Sequence, residues 1–227
     1  LLLPALNHAS ESARNIACRA NLRQIGLMYH LYSEDWDELL PRTWWKELDW
    51  PESKYSVWPV KLSEYGGGNG LAPREQAERL EENPHTPFSC PAADGDKNDP
   101  APFTDSLDPI FPSYGQNHYA GWAKFGWNSA RGHPNANYLL RFRDTDHPSR
   151  ACLAGDRSGN DFNLRSWMTE DPGELPTPRH NGKANILYFD QHAGGVAWQD
   201  IPRDWNATPF WLGGRTPYSG RQMPPGY

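Results

Sequence analysis

"PALNHASESARNIACRANLRQIGLMYHLYSEDWDELL", residues 4–40, is the stretch from which the rest of the chain is read. After Pro4 it contains no proline and a single glycine, Gly26. Leu6, Ala9, Ala13, Ala17, Ala20, Leu27 and Leu31 recur at helical spacing, and Ile16, Leu22, Ile25 and Tyr29 widen the apolar arc in the second half. Pro4 suits a first helical turn, or a kink if helix continues upstream, and Pro41 is the stop. The pattern therefore predicts an N-terminal helix within residues 1–40. About 31 residues at 1.5 Å each make a rod of roughly 45 Å, long for a small domain. Residues 5–15 are polar and Ala-rich, whereas the second half is apolar. The first half is expected to project and the second to pack on a body formed by residues 41–227.

The clearest part of that body is "RHNGKANILYFDQH", residues 179–192. The block from Ala184 to Phe189 is β-prone on both faces. Asp190 and Gln191 make a turn, and "GGVAWQD", residues 194–200, returns as a second strand, giving a hairpin at about 184–198. "ACLAGD", residues 151–156, is a buried strand, "YLLRFRD", residues 138–144, another, and "PSYGQNHYAGWAKFGW", residues 112–127, a strand and turn. "APREQAERLEENP", residues 72–84, reads as a short helix between prolines. The last 25 or so residues, rich in Pro, Gly and Trp, form an extended tail or covering loop.

Composition limits the function classes. Hydrophobic residues are 37% of the 227 and the mean hydropathy is -0.83, but 11 Trp, 10 Tyr and 8 Phe supply large buried area per residue. With 22 Pro and 20 Gly, much of the chain is loop or short strand. A net charge of -6 without a basic stripe argues against nucleic acid as a partner. No run approaches the ~20 apolar residues that span a bilayer. The opening "LLLPAL" reads like the end of something more hydrophobic. The three cysteines, Cys18, Cys90 and Cys152, form no CxxC pair, so a zinc or redox motif is not expected; the odd count allows at most one internal disulfide, and both the reduced and the bridged state stay open.

Chemistry-bearing side chains cluster around residues 179–192. If residues 180–190 were all extended, His180 and Asp190 would stand some 30 Å apart at about 3.3 Å per residue. They can pair only if residues 179–183 fold back. Asp190 and His192 flank a turn and can touch. No GxSxG, HExxH or Walker loop occurs, so the chain is read as non-enzymatic, with a hydrolase built on Asp190 and a His as the disfavoured reading. The ordinary role of Asp190 is a turn residue. Asn185 and His180 tie a loop to a sheet edge. No cofactor is expected; calcium is the metal the loops suggest first, and a transition metal on His and carboxylate ligands has less support. "DGDKND" sets Asp94, Asp96 and Asn98 at alternate positions, with Asp105 where a twelfth ligand would stand. Asp99 replaces the glycine of such loops, and Pro100 and Pro102 disturb the remainder. "DRSGND" offers Asp156 and Asn160 in a similar way. Trp122, Trp127, Trp205 and Trp211 are candidate platforms for carbohydrate, the basis of a second reading as a surface-binding module.

The two ends together resemble a family. The first 40 residues are similar to the start of type IV pilin-like proteins, the pseudopilins related to type II secretion: a Leu-Leu-Pro-Ala-Leu run, Ala-rich turns, then a Cys-x-x-Asn-Leu-x-Gln-Ile-Gly block. Here that block is Cys18, Asn21, Leu22, Gln24, Ile25 and Gly26. The C-terminal signature of such proteins, associated with prepilin processing, is a His, nine residues, then Asp-Gly. Here it runs from His180 to Asp190, flanked by Arg179, Gly182, Ala184, Asn185, Leu187 and His192. Gln191 stands where the signature has Gly, which argues against a tight turn needing φ > 0 there. "FSCP", Phe88 to Pro91, resembles the family's middle Cys-Pro element.

The resemblance implies an α+β fold, a long N-terminal helix packed on an antiparallel sheet with long irregular insertions. It implies an apolar anchor helix upstream of Leu1, exposed by prepilin peptidase, whose new amino terminus is methylated. It further implies an extracytoplasmic body, tethered to the inner membrane, that assembles with other pilin-like subunits into a pilus-like filament or secretion pseudopilus. An extracytoplasmic body permits a disulfide. Cys18 on the buried half of the helix and Cys90 in the "FSCP" loop are the expected pair, leaving Cys152 buried and free.

Overall fold

The structure is a computed structural model that describes residues 2–41, 57–67, 75–76, 86–93, 113–121, 141–157, 163–164, 175–203 and 209–214. Helix α1 spans Leu2–Asp35. Its first half carries exposed apolar side chains, with Leu3 at 77% and Leu6 at 68% of full exposure. From Cys18 onward one face turns inward: Cys18, Leu22, Ile25 and Tyr29 are fully buried, with Met28 and Tyr32 nearly so. The helix ends at Asp35 rather than near residue 40. Asp37 (φ 53°) and Glu38 (φ 63°) adopt the left-handed conformation, and the Glu38 N–H donates to the Ser33 carbonyl at 2.7 Å. That closes the helix as a glycine C-cap would, without a glycine to announce it. Leu39 then makes an isolated bridge with Arg141.

The body is a sheet of five strands in the order β3-β1-β2-β4-β5. These are β1, Tyr114–Asn117; β2, Cys152–Asp156; β3, Asn163–Leu164; β4, Lys183–Tyr188; and β5, Ala193–Ala197. The β1–β2, β2–β4 and β4–β5 pairs are antiparallel, and the two-residue edge strand β3 runs parallel to β1. The fold is α+β, a long helix packed on an antiparallel sheet, with that short parallel edge as the addition. The 138–144 strand is corrected: Phe142–Asp144 is a 3-10 turn, closed by the Arg141 N–H donating to Asp144 Oδ2 at 3.0 Å. Residues 138–140 lie outside the described residues, as does most of 72–84.

Apolar side chains cover both faces of the sheet, which is why β4 lacks simple alternation. On one face, α1 packs with Trp58 and Leu62 of a short helix α2 (Trp58–Ser63) against Tyr114, Leu153 and Leu187. On the other, Leu164, Ala184 and Ile186 meet Ile201, Phe210 and Trp211. The last two belong to α3, Pro209–Leu212, so this part of the C-terminal region is core rather than extended tail. Close approach of α1 to the sheet depends on Gly26, where an added Cβ would sit 3.1 Å from Leu187 Cδ1 and 3.6 Å from Gln191 Cβ. The last glycine of the N-terminal block thus lies against the C-terminal hairpin.

Candidate functional site

Beneath the second half of α1 lies a buried polar seam. Cys18 and Cys90 form a disulfide with Cα atoms 5.2 Å apart. One turn along α1, Asn21 Nδ2 donates to the Ser89 carbonyl at 2.8 Å. Cys18 and Asn21, at i and i+3, therefore hold the same loop from one helix face. Tyr114 Oη donates to the Cys18 carbonyl at 3.3 Å. Leu22 fills the core, whereas Gln24 is exposed and Gly26 is the contact glycine described above.

His180 enters the seam because residues 179–183 do fold back. The His180 N–H donates to the Lys183 carbonyl at 3.0 Å and the Lys183 N–H returns the bond at 3.1 Å. Asn181 (φ 52°) and Gly182 (φ 76°) are the two left-handed residues of this tight turn. The imidazole is 2% exposed, with Nε2 3.3 Å from Asp156 Oδ2 and 3.7 Å from Cys90 Sγ. Asp156 Oδ2 also accepts the Asn185 backbone N–H at 2.6 Å. The Asn185 side chain turns to α1, accepting from Arg19 Nε at 3.0 Å and donating to Asn15 Oδ1 at 2.9 Å. Asn185 thus joins the helix to the middle of the sheet, not a loop to its edge. Arg179 Nη1 donates to the Ser113 carbonyl at 2.8 Å.

Asp190 and His192 form a separate, partly exposed unit. His192 Nδ1 is 2.5 Å from Asp190 Oδ1, and the ring stacks on Tyr188 with centroids 4.3 Å apart. The signature's His180 and Asp190 are therefore not brought together; each has another partner. Gln191 sits at φ 69°, so the turn keeps a left-handed residue even with glutamine in place of glycine.

Two sets of candidates change. Asp156 is no open-loop calcium ligand: it is the fully buried last residue of β2, with Oδ2 engaged by His180 and Asn185. Asp94, Asp96, Asn98, Asp105 and Asn160 lie outside the described residues. Trp211 is no exposed platform: it is fully buried, and its Nε1 donates to the Pro202 carbonyl at 2.7 Å. Trp122, Trp127 and Trp205 lie outside the described residues. Sequence reasoning missed the His180–Asp156 pair, since 24 positions separate partners that meet only through β2–β4 pairing. It also missed Gln116, buried beneath Tyr29, whose Oη donates to Gln116 Oε1 at 2.9 Å. Gln116 Nε2 donates to the carbonyls of Pro41 at 3.0 Å and Ala120 at 2.7 Å.

Burial raises the tyrosines and the remaining thiol. Desolvation pushes Tyr29 well above the ordinary tyrosine value, with the charge of Cys152 adding to it. Desolvation likewise raises Tyr114, next to the Asp156 carboxylate, and it raises the free, buried Cys152. Such a thiol is protonated and inert. Chemically, the seam is a clamp between α1, the Cys90 loop and the sheet. Among the described residues, one set of metal-type donors lies together: Cys18 Sγ, Cys90 Sγ and a His180 ring nitrogen, all within 4.8 Å of one another.

A family described as "Protein of unknown function (DUF1559)" matches residues 7–211, taking in α1 from its second turn, every strand of the sheet and the seam. Searches of curated proteins and of solved structures found no match.

Proposed function

The chain belongs to the DUF1559 family, and on that premise we propose that it is the extracytoplasmic body of a non-enzymatic, pilin-like subunit. The family match and the α+β fold, a long helix laid on an antiparallel sheet, support the pilin-like assignment. In this reading an apolar segment continuous with α1 anchors the subunit in the inner membrane. A prepilin peptidase processes it, and the anchored subunits assemble into a pilus-like filament or secretion pseudopilus. Among the described residues no helix is long and apolar enough to cross a membrane.

The observation that carries the reading is the division of α1. Its second half is held to the body by a disulfide, a hydrogen-bonded seam and a shared core. Residues 3–10 are exposed throughout and present Leu3 and Leu6, and Ile16 is 69% exposed. A rod fixed at one end, with exposed Leu3, Leu6 and Ile16 on an Ala-rich free half, suits lateral helix packing between subunits.

In the producing cell, a photo-cross-linking residue at Leu6 or Ile16 is expected to give ladders of linked subunits. The same probe at Arg203, on the far side of the sheet, is expected to give little. Fractionation should place the uncleaved chain in the inner membrane. A chain recovered only from the cytoplasm, with no ladder from either position, overturns the proposal. So does a gene whose upstream codons specify a secretory signal with a small-residue cleavage site in place of a basic leader and apolar run.

A further inference from the structure

The disulfide that clips α1 to the body is bordered by two further ligand-type groups. Cys18, Cys90, His180 and Asp156 are 0%, 2%, 2% and 0% exposed, and they come from the helix, a loop, a turn and a strand. Asp156 Oδ1 is buried with no hydrogen-bond partner among the described residues, as is His180 Nδ1. From these observations we propose that the reduced chain holds a zinc-type divalent cation between Cys18 Sγ, Cys90 Sγ, His180 Nε2 and the Asp156 carboxylate.

Two of the distances already fit. A tetrahedral cation with bonds of ~2.3 Å to sulfur and ~2.0–2.1 Å to nitrogen and oxygen separates S from N by about 3.6 Å and N from O by about 3.3 Å. Cys90 Sγ lies 3.7 Å from His180 Nε2, and that nitrogen lies 3.3 Å from Asp156 Oδ2. Two edges of the tetrahedron thus exist around the oxidised pair. Cys18 Sγ, Cys90 Sγ and the His180 ring nitrogen already lie within 4.8 Å of one another; the remaining requirements are that the two sulfurs separate to about 3.8 Å and that the Asp156 carboxylate closes on them, movements that side-chain torsions supply. Two thiolates, an imidazole and a carboxylate match the soft and borderline ligands that zinc selects. A bound cation also neutralises a buried carboxylate and gives Oδ1 a partner.

The chemistry balances in two steps. A dithiol reductant attacks the disulfide; two electrons pass to the protein sulfurs, two thiols form, and the reductant leaves as its own disulfide. The cation then displaces both thiol protons into solvent and binds two thiolates. The crosslink between α1 and the Cys90 loop is thereby kept in reducing surroundings, with a metal in place of the S–S bond.

The test uses the whole chain, oxidised or reduced by a dithiol under argon, titrated with divalent cobalt and then with zinc. For the reduced chain the expected result is one cobalt per chain, the d–d bands of tetrahedral coordination, a thiolate-to-cobalt charge-transfer band, and two protons released per cation. Zinc should displace the cobalt. The oxidised chain should show none of this. His180→Ala and Asp156→Asn are each expected to weaken binding at least roughly tenfold, in the range reported for losses at metal sites. Cys152→Ser should bind like the parent. A reduced, folded chain without tetrahedral cobalt bands overturns the proposal, as does binding that depends on Cys152. So does a reduced chain that unfolds and is not refolded by the cation, as followed by circular dichroism.

Discussion

Gln191 shows how one residue departs from a pattern while the backbone keeps it. At φ 69° it occupies a conformation that costs a side chain with a Cβ roughly 1–2 kcal/mol. The bond holding the turn, from the Gln191 N–H to the Tyr188 carbonyl at 2.9 Å, is a backbone bond and does not depend on the side chain. Gln191→Gly is therefore expected to stabilise the protein by about 1 kcal/mol, some of the strain relief being offset by the greater freedom of glycine in the unfolded chain. At this chain length that corresponds to a rise of roughly 2–4 °C in melting temperature. Gln191→Val should lower it, since a β-branched residue tolerates φ > 0 poorly. Calorimetry of the three proteins checks both signs; a Gly variant that melts lower than the parent would show that the glutamine side chain contributes more than its backbone strain costs. Sequence reasoning located this turn correctly but inferred from the missing glycine that φ > 0 was disfavoured. The flanking hairpin and the contact with Gly26 prevail over the local preference.

At the scale of elements, α1 is held to the sheet by one covalent and several polar ties. The Cys18–Cys90 bridge closes a loop of 72 residues, for which chain entropy suggests about 4 kcal/mol, an upper figure for engineered or removed bridges. Replacing both cysteines by serine should lower stability by about 2–4 kcal/mol, measured by urea unfolding. The loss should be reproduced by reducing the parent without metal. The His180–Asp156 pair ties the 179–183 turn to β2 under that helix, and removing His180 leaves the buried Asp156 carboxylate with the Asn185 N–H alone, a loss of about 3 kcal/mol. A double-mutant cycle with His180→Ala and Asp156→Ala is expected to show favourable coupling of about 0.5–3 kcal/mol. Additive single losses would mean that the two groups are neighbours without interacting. Much of this layer is legible in sequence. The 3.6-residue repeat marks α1, and the apolar block ending at Asp190 marks the hairpin, because both signals are local. The end of α1 is less legible, because left-handed Asp37 and Glu38 do the work usually given to glycine. The partnership of His180 and Asn185 with Asp156 is illegible, because it exists only once β2 and β4 are in register.

Across the whole molecule, the two apolar layers on either side of the sheet bury phenols, and this sets its behaviour in base. Tyr29 and Tyr114 lie in the layer beneath α1 and are raised by desolvation, by Cys152 in the first case and by Asp156 in the second. Tyr188 packs against the opposite layer and is raised to about 12, by desolvation first and then by the charges of Cys152 and Asp190. An unfolded tyrosine ionises near 10. Below about pH 10 both states hold the phenol protons, so folding stability is fully present and independent of these groups. Between about pH 10 and 12 the unfolded chain loses protons that the folded chain retains, so stability falls as pH rises. The urea midpoint is accordingly expected to hold steady from neutral pH to about 10 and then to drop steeply. Tyrosinate absorbance from the buried phenols should appear together with the loss of far-ultraviolet dichroism, not ahead of it. Tyr188→Phe should make the fall shallower, because one raised phenol is gone while the ring that stacks on His192 and meets Phe210 edge-on is kept. If all ten tyrosines of the chain ionised near pH 10 with the dichroism intact, the two layers would have to admit water freely, and the double-sided core on which the clamped helix depends would be wrong.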